Sequence, residues 1–434
     1  MPINPSNMRV VDVARLLNST SFGFVLAQAR LYREFNRVGF RIGSSENPRN
    51  INLLKYIAWM FDRKHTPEET SGARSYEDRR NAERDRQAEQ SLAGRDIGQL
   101  PEVVNPDRKA ACERNFQLFC ESYFPETYSL AWSPDHLKVI EKIETAVLRG
   151  GLFALALPRG SGKTTITESA ALWSMLYGHR EFVVLIGATE SAALELLDSL
   201  KTELEVNERL AEDFPEVCYP VAQLEGIANR CAGQLYKGER TRITWTSNEI
   251  VLPTVEGSRA SGIIVRVAGI TGRIRGMKFK RSDGRSVRPS LVVIDDPQTS
   301  ESAGSLEQTR KRVRVLAGDI LGLAGPGQKI SGIMPCTIIR PGDMADIILN
   351  RNTHPDWNGE KTRMVYKFPT NMKLWDEYAE LRAESLRTDG NFQKATEFYL
   401  ANREAMDAGA EVSWEARFNH DEVSALQHAM NLKF

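Results

Sequence analysis

Long apolar runs are missing from this 434-residue chain: none approaches the roughly 18–20 residues of a membrane span. The opening MPINPSNMRVVDVARLL has no apolar core of the signal-peptide kind. Cysteine is scarce. Cys112, Cys120, Cys218, Cys231 and Cys336 form no C-x-x-C pair and have no histidine at metal spacing. The expectation is free thiols in a reducing compartment, without a disulfide or zinc framework. Net charge is absent too, with 57 Lys and Arg against 57 Asp and Glu. No global attraction to nucleic acid follows, so any such attraction must be local. Residues 1–65 hold ten Lys and Arg against four Asp and Glu, whereas residues 371–434 hold seven against twelve.

The length predicts two or three domains. Residues 8–62 show apolar residues at three- and four-residue spacing, in MRVVDVARLL, FVLAQARLYREF and INLLKYIAWMFD. The last of these predicts a helix with Leu53, Leu54, Ile57, Ala58 and Phe61 on one face. VGFRIGSSENPRN reads as a turn-rich break. Short helices, a basic surplus and a glycine-containing turn fit a small all-α, helix-turn-helix-like DNA module over 1–65. They fit a helical docking domain with a solvated basic face equally well. The densely charged stretch from Arg63 to Arg95 predicts an exposed helix or a flexible linker, with the boundary drawn over 66–108.

From 109 to 370 short apolar runs alternate with helical patterns. The runs are at 151–157, 181–188, 241–246, 262–270, 290–296, 329–339 and 362–369. This texture predicts an α/β domain with a largely parallel sheet and flanking helices. Residues 191–214 predict one long helix, and 371–434 a helical, acidic C-terminal subdomain.

Within this domain LPRGSGKTT (157–165) matches the second half of the phosphate-binding pattern G-x-x-x-x-G-K-[ST], although Leu157 stands where its first glycine belongs. A predicted strand precedes it and a predicted helix follows. Pro158, Arg159, Gly160, Ser161, Gly162, Lys163, Thr164 and Thr165 are therefore candidate ATP-binding residues. Lys163 would bridge the β- and γ-phosphates, and Thr164 would ligate Mg²⁺. LVVIDDPQ (291–298) supplies the matching acidic strand end. Asp295 would hold the Mg²⁺ shell and Asp296 would orient or deprotonate water. Aspartate at the second place is one methylene shorter than the usual glutamate. Arg159 reads either as a catalytic cation beside the phosphates or as a surface arginine.

Together these motifs resemble the large subunit of tailed-phage terminases, the motors that package DNA into proheads. That family's loop typically lacks the first glycine and carries an arginine four residues before the lysine, as Arg159 and Lys163 stand here. LAWSPDHLKVIEKI resembles its adenine-contacting segment, with Trp132 in place and His136 where glutamine is usual. Arg275, in GRIRG ahead of the acidic strand, is similar to its trans-acting arginine finger. Arg273 competes for the role, and a basic loop touching DNA or solvent is the alternative. ISGIMPCTIIRPGD resembles its coupling motif, with Cys336 and Thr337 at the strand end. The resemblance implies a P-loop fold of the RecA/ASCE-like kind and ATP with Mg²⁺ as cofactors. It also implies double-stranded DNA, a homo-oligomeric ring on a portal and a small terminase subunit as partners, no membrane, and the cytoplasm of a bacterial host.

The family continues into a nuclease domain with clustered metal-binding carboxylates. Only 64 residues follow Thr370, so nuclease activity is not expected from this chain. The basic module at 1–65 resembles the recognition part of the separate small subunit, fused in front. Two rivals stay open. One is another P-loop nucleic-acid ATPase such as a helicase. The other is a non-catalytic or weakly catalytic DNA-binding assembly subunit, which Asp296 in place of glutamate permits.

Overall fold

The computed structural model describes residues 4–19, 28–65, 95–272, 274–281 and 283–433. The charged stretch 66–94 and Arg273 lie outside the described residues. Two compact units divide the chain, Met1–Gln87 and Ala88–Phe434.

In the first unit the helices Val10–Asn18, Gln28–Ile42 and Leu53–His65 enclose a small core that includes Val13, Leu31, Ile42, Ile51 and Tyr56. The unit is not purely helical as expected, because Met8–Arg9 pairs antiparallel with Asn50–Ile51. The expected break at VGFRI also starts later: residues 38–42 stay in the helix, and a kink at Val38 (φ −131°, ψ 22°) absorbs the disturbance. The last helix presents a different face from the predicted one. Leu53 and Tyr56 are buried, with Ile57 and Met60 packed beside them, whereas Leu54 and Phe61 are 62% and 61% exposed. The strand pair fixes Ile51 in the core, so the chain enters the helix with Leu53 inward and Leu54 outward. Pattern alone does not contain that phase.

The second unit is mixed α/β around an eight-stranded, mostly parallel sheet. Its strands are β1 (Leu152–Ala156), β2 (Phe182–Gly187), β3 (Thr244–Trp245), β4 (Glu249–Val251), β5 (Ile264–Gly269), β6 (Leu291–Asp295), β7 (Ser331–Cys336) and β8 (Glu360–Lys361). They lie in the order β8-β1-β7-β6-β2-β5-β4-β3, parallel from β8 to β5, with β4 and β3 antiparallel. Helices cover both faces, so the strands read as continuous apolar runs. Alternation still sorts them: Leu155, Val183, Leu185, Leu291 and Val293 face one core, and Ala154, Val184, Ile186, Val292 and Ile294 the other. The first core includes α1 (Pro134–Leu148), α2 (Lys163–Leu176) and α3 (Glu190–Val206). Ala170, Ala171, Trp173 and Leu176 of α2 are buried there.

Three expectations are corrected. The predicted helix 191–214 is two helices, because Asn207 leaves helical geometry (ψ 107°) and caps Glu208–Asp213 through its side chain. Of the run at 362–369, Thr362 still donates to the Ala156 carbonyl of the large sheet (3.0 Å), but the rest of the run leaves that sheet. Val365–Lys367 pairs antiparallel with Glu411–Val412, and Phe368 is 52% exposed. The presumed linker ends early, since Arg95 and Ile97 bracket Leu235 through backbone hydrogen bonds of 2.9 Å each.

Asp213 shows how the second unit holds its first helices. It is fully buried and accepts from Arg108 Nε (2.6 Å), Tyr123 Oη (2.7 Å) and the Asn105 amide (3.1 Å). Asp213→Ala leaves the phenol and the Asn105 amide without this acceptor and the Arg108 guanidinium with Glu212 alone (2.7 Å), at an expected cost of about 3 kcal/mol. Urea denaturation measures this; a loss below about 1 kcal/mol contradicts it.

Residues 371–433 form a helical region with its own core, including Trp375, Tyr378, Tyr399, Met406 and Met430. No described helix is long and apolar enough to cross a membrane.

Candidate functional site

β1 ends at Ala156, and the Leu157 amide still donates to the Cys336 carbonyl (3.1 Å). Leu157 therefore continues the strand line, and a glycine is not needed there. The turn begins at Pro158. Gly160 (φ 72°) and Gly162 (φ 73°) take left-handed conformations that a side chain would strain, and Gly162 opens α2. The Ser161 hydroxyl donates to the Pro158 carbonyl (2.7 Å). The nearly buried Lys163 ammonium donates to the carbonyls of Pro158 (3.2 Å) and Leu157 (3.4 Å). The loop is thus a preformed concave turn at a helix N-terminus, an arrangement that favours anions.

The distant acidic pair meets this loop. The Thr164 hydroxyl donates to Asp295 Oδ2 at 2.9 Å across 131 residues of sequence. Asp295 Oδ1 is buried without a hydrogen-bond partner among the described residues. Burial, with the Asp296 charge as a smaller contributor, pushes the Asp295 carboxyl up to about 6; the Thr164 bond and Lys163 oppose the shift. Asp296 follows in left-handed backbone geometry (φ 34°), which aspartate tolerates better than most residues. Its amide donates to the Pro335 carbonyl, and its Oδ2 lies 3.5 Å from the Thr337 hydroxyl.

A pocket with about 980 Å³ of empty space opens between these elements, lined by Arg159, Lys163, Thr164, Asp296, Gln298 and Thr337 among others. Gly160, Gly162 and Thr165 also line it. Arg159 is exposed there. Gln298, two residues past the acidic pair, joins this site, and its only signal in the sequence is its place just after the acidic strand end. Its buried amide donates to the Thr337 carbonyl (3.0 Å) and Asp343 Oδ2 (2.8 Å), and accepts from the Met344 amide (3.1 Å). Asp343 also receives the amides of Ile339, Arg340 and Asp346. The turn after β7 is therefore one hydrogen-bonded block joined to the acidic strand end.

Three expected site residues lie elsewhere. Cys336 is fully buried among the core residues behind the sheet, with its sulfur 3.8 Å from the Leu155 carbonyl; strand alternation sends it away from the pocket that Thr337 lines. His136 is absent from that pocket, and both its ring nitrogens are engaged. Nε2 donates to the Ser161 carbonyl (3.0 Å), so Nδ1 accepts from the Ser133 hydroxyl (2.9 Å). Burial lowers its pKa and keeps the ring neutral. His136 thus fixes the glycine loop to the start of α1 rather than standing open for a base. Arg275 lies outside both the pocket and the loop. Its highly exposed side chain is paired with Asp319, Nη2 to Oδ1 at 2.5 Å. Pro158 contributes its carbonyl to the loop and lines a second, smaller cavity shared with His136.

Among the described residues no group of three or more His, Cys, Asp or Glu could hold a metal by itself. One hydroxyl and one carboxylate with a free buried oxygen do fit Mg²⁺, which commonly completes its shell with substrate phosphates and water. Compared with known proteins, the sequence matches no family model, and no curated protein is similar enough to count as a relative.

Proposed function

We propose that the second unit is an ATPase of the P-loop kind and that the chain is a terminase-like motor, coupling hydrolysis to movement of double-stranded DNA. The observation that carries the ATPase reading is the Thr164–Asp295 hydrogen bond. It brings the residue types needed for phosphate and Mg²⁺ binding to one point from two separate strand ends. The strand order supports it: β7 stands between β1 and β6, so Thr337 comes to the pocket beside Asp296.

In this mechanism the loop amides and Lys163 bind the phosphate chain, and Thr164 and Asp295 would hold Mg²⁺. The metal would neutralise charge developing on the transferred phosphoryl group. Asp296 accepts the proton of the attacking water, or orients that water, and Arg159 faces the developing negative charge. Thr337 lies within reach of Asp296, and the Gln298–Asp343 block carries a shift there into the helix Met344–Ile348. Arg275 would serve a neighbouring subunit only after leaving Asp319. The basic surplus of residues 1–65 supports DNA binding by the first unit.

Steady-state phosphate release by the whole chain, with and without duplex DNA, tests this proposal. Hydrolysis stimulated by DNA is the expected result. No hydrolysis under either condition favours the non-catalytic assembly subunit, and strand separation would favour a helicase.

A further inference from the structure

Arg417 lies against the glycine loop from the side of the cavity it shares with His136, and meets the wider pocket lined by Lys163 and Asp296 only at Gly160. A Cβ placed on Gly160 would stand 2.5 Å from Arg417 Nη2 and 3.3 Å from Cζ, so the guanidinium occupies the space that the missing side chain leaves. Half-buried, it makes no side-chain hydrogen bond or ion pair among the described residues. The acid that bears on it, Glu422, is already taken: its carboxylate accepts from the Asn419 amide (2.8 Å), His428 Nδ1 (2.7 Å) and Asn431 Nδ2 (2.8 Å). Burial works against the charge on Arg417 and lowers its pKa, with the Glu422 charge opposing as the smaller contributor. A cation in such a place is stabilised by an anion with several acceptor oxygens, and a guanidinium fork suits phosphate.

The segment around it is anchored. Trp414 Nε1 donates to the Ala131 carbonyl (2.7 Å), and its ring meets the His136 ring edge-on at 4.5 Å. His136 in turn holds Ser161. His136, Pro158, Ser161, Trp414 and Arg417 line one small cavity. A closed circuit therefore runs from Ser161 through His136 and Trp414 to Arg417 and back to Gly160. We infer that Arg417 is a nucleotide-binding residue supplied by the C-terminal region, its guanidinium contacting the phosphate chain of a nucleoside triphosphate on the loop. This inference rests on the ATP-site proposal.

The test is a titration of the full-length chain with a fluorescent ATP analogue and Mg²⁺, for wild type, Arg417→Gln and Arg417→Lys. Arg417→Gln, close in size but uncharged, is expected to bind about tenfold to a hundredfold more weakly. Its melting temperature without nucleotide should stay close to that of wild type. Arg417→Lys keeps the charge without the fork and should fall in between. Wild-type affinity in both variants overturns the role of Arg417 while leaving the ATP site standing. If Arg417→Gln fails to fold, the lysine variant decides by the same criterion. Absence of ATP binding by folded wild-type protein overturns the ATP site first and this inference with it.

Discussion

Lys163→Ala is expected to reduce ATP hydrolysis by about a thousandfold or more, and to weaken ATP binding at least about tenfold. The lysine ammonium is held inside the glycine turn by the turn's own carbonyls. Phosphate oxygens arriving there exchange two neutral acceptors for charged ones, and the gain is largest where charge develops during transfer. Alanine removes that cation without disturbing the helix start, where it is a better helix former than lysine. Phosphate release and a melting curve check both halves. Normal turnover by a folded Lys163→Ala chain would refute the proposed site outright.

Asp295→Asn should separate activity from stability in a way that a merely structural aspartate would not. Its carboxyl is raised to about 6 from an ordinary 3.8, chiefly by burial. The sign follows from linkage. Between about pH 4 and 6 the unfolded chain releases this proton while the folded chain keeps it, so folding becomes less favourable as pH rises through that window. Above it the penalty is constant, on the order of 2–3 kcal/mol. Asparagine carries no such charge. The variant is expected to melt a few degrees above wild type at pH 8 and to lose that advantage near pH 4. Hydrolysis should nevertheless fall about a hundredfold to a thousandfold, since Mg²⁺ needs the ionised form. In wild type, Mg²⁺-dependent ATP binding should decline below about pH 6 for the same reason. A destabilised and fully active Asp295→Asn chain would overturn this account of the carboxylate.

Much of the glycine loop and acidic strand was legible because local chemistry dictates it. Gly160 and Gly162 need left-handed backbone, and LVVID needs burial on both faces before its charge. Strand order, by contrast, is set by pairings between segments far apart, as between β1 and β7. β8, Glu360–Lys361, has no apolar signal because its short edge position requires only backbone bonds. Val365 and Phe368 look buried in sequence, but Val365 pairs with Val412 in a short ladder outside the main sheet and Phe368 lies exposed just past it. His136 stands where the motif usually has glutamine, while Ser133 and Ser161 decide its actual partners. Arg417 had no local sign at all, since its meeting with Gly160 depends on the path of the whole C-terminal region.

The strand order also fixes when the site can come into being as the chain is synthesised. β6, β2, β5, β4 and β3 lie side by side in the sheet, and all their residues lie between 182 and 295. That half of the sheet can pair as soon as it leaves the ribosome. β1, made before any of them, has its neighbours in β7 and β8, at residues 331–336 and 360–361. The glycine loop therefore waits, attached to a strand with no place in the sheet, while roughly two hundred further residues emerge. Segments that emerge early can fold as units, but here an early segment is completed by late ones. A ribosome-bound chain stopped before β7 would carry every residue of the loop and no finished site.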